Sequence, residues 1–190
     1  MKLWEFASKI LSCGDLESKV QAPVTALCDN DKSFSADLAK IELPCRSKRL
    51  CFSDDRVKRQ KLPKFSEFRE ADNRARDIHF FANHELLANV ALCWAILRFP
   101  NARQSVRDDW RETLIDEQRH LKLYVERIRE LGSDFGDFPL NQFIWARAKD
   151  HSTERQFTAF FSLAIEGANV DFSHKFMKTF EHHEDYQSAR

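Results

Sequence analysis

Val106, Trp110, Leu114, Leu121, Tyr124, Ile128 and Leu131 recur at steps of three, four and seven. That spacing marks one buried face of an α-helix, and it predicts a helix over about 102–131, stopped by Gly132. The same period, carried by Ile78, Phe81, Ala88, Leu92 and Ala95, predicts a helix over about 67–99 that ends before Pro100. A third runs from a cap at Ser152 or Thr153 to about Phe180, with Phe157, Phe160, Leu163, Val170 and Met177 on its apolar face. A short helix is expected after Pro139, and Leu3, Phe6, Ile10 and Leu11 outline a short amphipathic helix at the start of the chain. Residues 14–65 contain Pro23, Pro44 and Pro63 and keep no period, so irregular or extended chain is expected there. Long polar–apolar alternation is missing. The pattern predicts an all-α fold with a first segment over 1–65, a short helix plus an arm, and a helical domain over 66–190.

Three charged residues interrupt the stripes that should be buried. Glu85 lies four residues after Phe81 and seven before Leu92; Glu117 lies between Leu114 and Leu121; Glu166 lies three after Leu163 and four before Val170. His120 shares the face of Glu117. An ionised carboxylate in an apolar interior must be paired or neutralised. Arg76, Arg98, Arg111 and Arg119 offer separate ion pairs as one answer. The other is a shared metal. Glu-x-x-His on one helix, with a lone Glu on each of two others, is a ligand pattern of two-metal carboxylate sites in four-helix bundles. Residues i and i+3 project from one helical face, so Glu117 can bridge two cations while His120 binds one. Carboxylates with imidazole suit iron or manganese.

Composition narrows the partners. Thirty basic and thirty acidic side chains cancel, so global charge points to neither nucleic acid nor membrane. The run "RSKRLCFSDDRVKRQKLPK" at 46–64 is basic but lacks interleaved aromatics, and reads as a solvated arm. Five Cys at irregular spacing read as reduced thiols of a cytoplasmic protein; Cys45 and Cys51 have no second pair to complete a metal site. Glu5, Ser8 and Lys9 break any apolar core of a signal peptide, and no run reaches the ~18 apolar residues of a membrane span. His84 points away from Glu85 and is not counted as a ligand. His174, His182 and His183 read as surface residues, the adjacent pair being a weaker metal alternative.

The stretches "NHELLANVALCWAILRFPNA", "VRDDWRETLIDEQRHLKLYVERIRELGSDFGDFPLNQFIW" and "LAIEGANVDFSHKFMK" resemble a bacterial ferritin-like family catalogued as domain of unknown function 455. The resemblance runs from about 79 to 190, and more loosely over 1–65. It implies a ferritin-like antiparallel bundle with Glu85, Glu117, His120 and Glu166 at the metal positions and two iron ions, or manganese, as cofactor. It implies no assigned reaction. By analogy with related two-iron proteins, Asp116 would accept a hydrogen bond from an opposite ligand histidine and so fix its tautomer. Tyr124, one turn past His120, reads as an electron relay or as ordinary aromatic packing.

The family pattern needs a second Glu-x-x-His on a fourth helix, and the 190 residues supply one such unit; Glu181 and Glu184 have no His three residues on. The expectation is a bundle truncated before its fourth helix, with three carboxylates and one imidazole. The exposed face invites a homodimer in which two Glu117–His120 pairs meet. A di-iron oxidoreductase of unknown substrate is therefore expected, impaired or incomplete in this form. The alternatives are a degenerate helical interaction protein and an RNA-modifying hydroxylase that uses the basic arm.

Overall fold

The computed structural model of the protein describes residues 1–23, 25–34, 44–52 and 62–189. Among them all regular structure is helical, and the two β-type pairings are isolated bridges, Lys2 with Cys28 and Phe52 with Leu140. The order is α1 (Leu3–Ser12), α2 (Leu16–Val20), α3 (Ala71–Arg98), α4 (Gln104–Glu130), α5 (Phe143–Ala148), α6 (Glu154–Thr158), a π-helical segment (Ala159–Ile165) and α7 (Glu166–His182). The long α3 and α4 form an antiparallel pair that organises the molecule.

Each end of that pair has a local cause. Helix α3 begins at Ala71 rather than near 67 because Phe65–Glu67 forms a separate 3-10 turn. At its other end Arg107 of α4 donates to the carbonyls of Ile96 and Phe99, both at 2.9 Å, and so satisfies acceptors that a helix terminus leaves free. The same guanidinium makes a two-pronged pair with Asp29 at 2.6 and 2.7 Å. Helix α4 stops where Gly132 adopts φ +90°, with the Ser133 N–H donating to the Ile128 carbonyl at 3.2 Å. This is the left-handed glycine terminus that L side chains resist. The expected helix after Pro139 is α5. The irregular reading of residues 14–65 is corrected at Leu16–Val20, a short helix whose Asp15 side chain accepts from the Ser18 N–H at 2.7 Å.

Two apolar clusters fill the interior. One joins α1 (Leu3, Phe6, Ile10, Leu11) to the C-terminal half of α3, to Trp110 and Leu114 of α4, and to Trp145 and Phe157. The other joins Ile78, Ala82 and Leu86 of α3 to Leu121, Val125 and Ile128 of α4, with Phe68, Phe135 and Phe180. Helix α3 is long and apolar enough to cross a membrane, but most of it is buried inside this fold, as in the core helix of a bundle.

The third long element departs from the sequence reading. The expected helix from 152 to 180 holds a π segment, in which the Glu166 N–H donates to the Phe161 carbonyl five residues back. More residues per turn make the apolar face lag behind the 3.6-residue period. Phe157 and Phe161 are buried at 0% and 2% exposure, whereas Leu163 and Val170, expected in the core, are 76% and 69% exposed. No described element covers that side of the π segment and α7.

Candidate metal centre

Glu85 lies next to Leu86 and Leu87, which belong to different apolar clusters; Glu117 lies between Leu114 of the first and Leu121 of the second. The two acids thus occupy a polar seam between the clusters. Glu85, Glu117 and His120 each offer a ligand atom, and these atoms lie within 4.8 Å of one another. Among the described residues this is the one such group. Glu85 and Glu117 are buried, while the His120 side chain is 44% exposed. The His120 Nδ1 stands 3.2 Å from Glu117 Oε2. Glu166 enters from the first turn of α7, directly after the π segment. It is partly buried and close enough for its charge to act on Glu85.

The electrostatics follow from this crowding. Burial, then the neighbouring Glu117, raise the Glu85 carboxyl well above its usual range. Burial pushes Glu117 up as well, but hydrogen bonding to His120 and to Glu85 outweighs it and the net shift is down. The hydrogen bond with Glu117 raises His120, against the opposing effect of its own burial. Burial, then the charge of Glu117, raise Glu166, while the Asn169 amide works the other way. Burial and crowding thus favour the proton on Glu85 and the charged forms of Glu117 and His120. Like charges this close cannot all ionise unless positive charge is added.

The four arginines suggested by the sequence do not supply that charge. Arg76 pairs with Asp72, Arg111 with Asp108 and Glu112, Arg119 with Asp116, and Arg98 lies over the Phe99 ring. Asp116 sits on the outer side of α4, with its side chain 59% exposed and 3.5 Å from Arg119. It meets no second imidazole among the described residues. Tyr124 packs on Phe81 with ring centroids 6.2 Å apart. Burial, then Glu85, Glu117 and Asp77, push its phenol up to about 12. Cys45, Cys51 and the His182–His183 pair lie outside the compact donor group; His183 Nε2 is engaged with the Phe65 carbonyl at 2.8 Å. The five cysteines form no disulfide with one another.

Sequence reasoning missed Asp77, which is fully buried with neither carboxylate oxygen hydrogen-bonded among the described residues. Its signal was available, since it precedes Phe81 by four residues and so borders the stripe that carries Glu85. Burial raises its carboxyl to about 8. His84 was set aside as a ligand and stands outside the donor group. It is nevertheless enclosed deeply enough that burial lowers its imidazole to about 4. The basic arm is only partly described, because 53–61 lie outside the described residues. Of its visible cations, Arg46 packs over the Phe52 ring and Arg49 pairs with Asp134 and Asp137.

Fold and site together define an all-α bundle protein with a carboxylate–imidazole cluster in the seam of its core. The chain belongs to the family described as protein of unknown function (DUF455), whose model matches residues 9–190. No curated protein and no solved structure matches it.

Proposed function

We propose that this protein is a ferritin-like carboxylate metalloprotein that binds iron, with manganese as the alternative, through Glu85, Glu117, His120 and Glu166, and works as an oxidoreductase. One observation carries the reading: two buried acids lie together with no guanidinium or ammonium of the described residues between them. The donor set fits a hard divalent cation, since carboxylate oxygens and an imidazole nitrogen are its usual ligands. It is short of the four carboxylates and two imidazoles that a pair of such ions takes in carboxylate bundles. Bound iron supplies one-electron chemistry towards dioxygen or peroxide.

The chain's own residues then have distinct tasks. Glu85 gives up the proton it shares with Glu117, and His120 gives up its ring proton, so that both offer lone pairs. Metal binding therefore releases protons and tightens as pH rises. Asn169 hydrogen-bonds Glu166 and favours its ionised form against the opposing effect of burial. The flanking apolar clusters keep bulk water from the buried side of the seam. A cytoplasmic setting suits five thiols that form no disulfide with one another.

Anaerobic iron(II) titration followed by exposure to air tests the proposal. The wild-type chain should take up iron and develop an oxidised-iron absorption, and Glu117→Gln should take up little. Uptake that is absent, or unchanged in Glu117→Gln and Glu85→Gln, contradicts it.

A second reading, a helical interaction protein, draws support from Leu163 and Val170, seven residues apart along the continuous π segment and α7 and 76% and 69% exposed. An apolar strip of that kind marks a contact surface. A homodimer that buries it and brings two His120 side chains together would unite both readings. Sedimentation with and without iron(II) separates them: metal-dependent dimerisation supports the union, and a monomer in both conditions removes the dimer.

A further inference from the structure

A cavity of about 270 Å³ lies between α3, α5 and the π segment with α7. Its cause can be read in α7 and the segment before it. Ala164 and Ala168, one turn apart, present only methyl groups where larger side chains would close the gap to α3. Its walls are mostly aromatic. Phe81 and Phe176 meet edge to face at 4.9 Å, and Phe80 lies against the His84 ring at 4.2 Å. The cavity reaches the surface where Phe143 and Phe172 are 57% and 53% exposed. Two polar side chains line it, His84 and Asn169. Neither ring nitrogen of His84 has a hydrogen-bond partner among the described residues. Neutral imidazole offers one donor and one acceptor.

We propose that this cavity binds a small planar aromatic molecule whose hydroxyl or N–H donates to His84. The volume matches the share of about nine liquid waters, which sets a ligand on the order of ten heavy atoms. Flat rings fit edge-to-face and offset contacts with the phenylalanines. A half-buried imidazole without a protein partner gains a hydrogen bond from such a ligand. The position suggests a role. Asn169, which lines the cavity, hydrogen-bonds Glu166, so the cavity lies one side chain away from that carboxylate. Binding is independent of the metal reading; only the assignment of this molecule as the substrate of the carboxylate cluster rests on it.

Fluorescence titration of the full chain with 2-naphthol and with naphthalene tests the proposal, with circular dichroism confirming that each variant is folded. Saturable 1:1 binding of 2-naphthol is expected, weakened at least tenfold by Ala168→Phe, which fills the cavity. His84→Leu should weaken 2-naphthol several-fold and leave naphthalene unchanged. Glu117→Gln should keep 2-naphthol binding while losing metal, so the two readings fail separately. Absence of saturable binding, or binding untouched by Ala168→Phe, overturns the site. Equal loss of both probes in His84→Leu overturns the hydrogen bond.

Discussion

Replacing Asp77 by Asn removes an ionisation while keeping the shape of the side chain. Among the described residues the buried carboxyl has no hydrogen-bond partner, and burial raises it from 3.8 to about 8. Between those values the folded chain holds a proton that the unfolded chain has lost. Folding then takes up a proton, so stability falls as pH rises, by about 1.4 kcal/mol per pH unit. Below pH 4 both states are protonated and the effect vanishes. By pH 7 the loss reaches about 4 kcal/mol, a large part of the ~5–15 kcal/mol that holds an ordinary domain together. Asp77→Asn should therefore match the wild type near pH 4 and exceed it by several kcal/mol at pH 7. Urea unfolding of both chains without metal, from pH 4 to 8, measures this. Glu85 and Glu166 are raised too, so the difference between the two curves, rather than either slope, isolates Asp77. A pH-independent offset, or an Asn variant that is the less stable at pH 7, refutes the reasoning.

Arg107→Met leaves Asp29 buried without its partner and uncaps α3, and should cost about 3–5 kcal/mol in urea unfolding. Phe161→Ala should cost about 3–5 kcal/mol, whereas Leu163→Ala should stay within about 0.5 kcal/mol; similar costs for the two would contradict the π-segment register. Gly136 has φ +98°, and an added Cβ would lie 2.8 Å from Arg49 Cγ and 2.9 Å from the Arg49 carbonyl oxygen. Gly136→Ala should therefore lower the melting temperature more than Gly132→Ala, whose φ of +90° faces open space.

The long helices were legible because burial imposes a 3.6-residue period on Leu, Val and Trp, and the same period exposed Glu85, Glu117 and Glu166 as intruders. The convergence of Glu85 and Glu117 was not legible from either helix alone. It depends on α3 and α4 meeting where their apolar clusters part. The π segment was invisible because "AFFSLAI" contains neither Gly nor Pro, so nothing in it breaks a helix. Its register shift then moved Leu163 and Val170 from the core to the surface. The Arg107–Asp29 pair spans 78 residues, beyond the reach of local pattern. The cavity beside His84 is a gap between elements, and spacing along one element records no gap.

The central claim is that a bound cation, and no guanidinium or ammonium among the described residues, neutralises the acids of the seam. Anomalous diffraction from crystals grown with iron(II) or manganese(II) measures this most directly. The account predicts a peak within roughly 2.0–2.3 Å of oxygens from Glu85 and Glu117 and of a His120 ring nitrogen, with Glu166 turned towards it. A map with no peak there, and with those side chains directed to solvent or clasped by arginine, contradicts it.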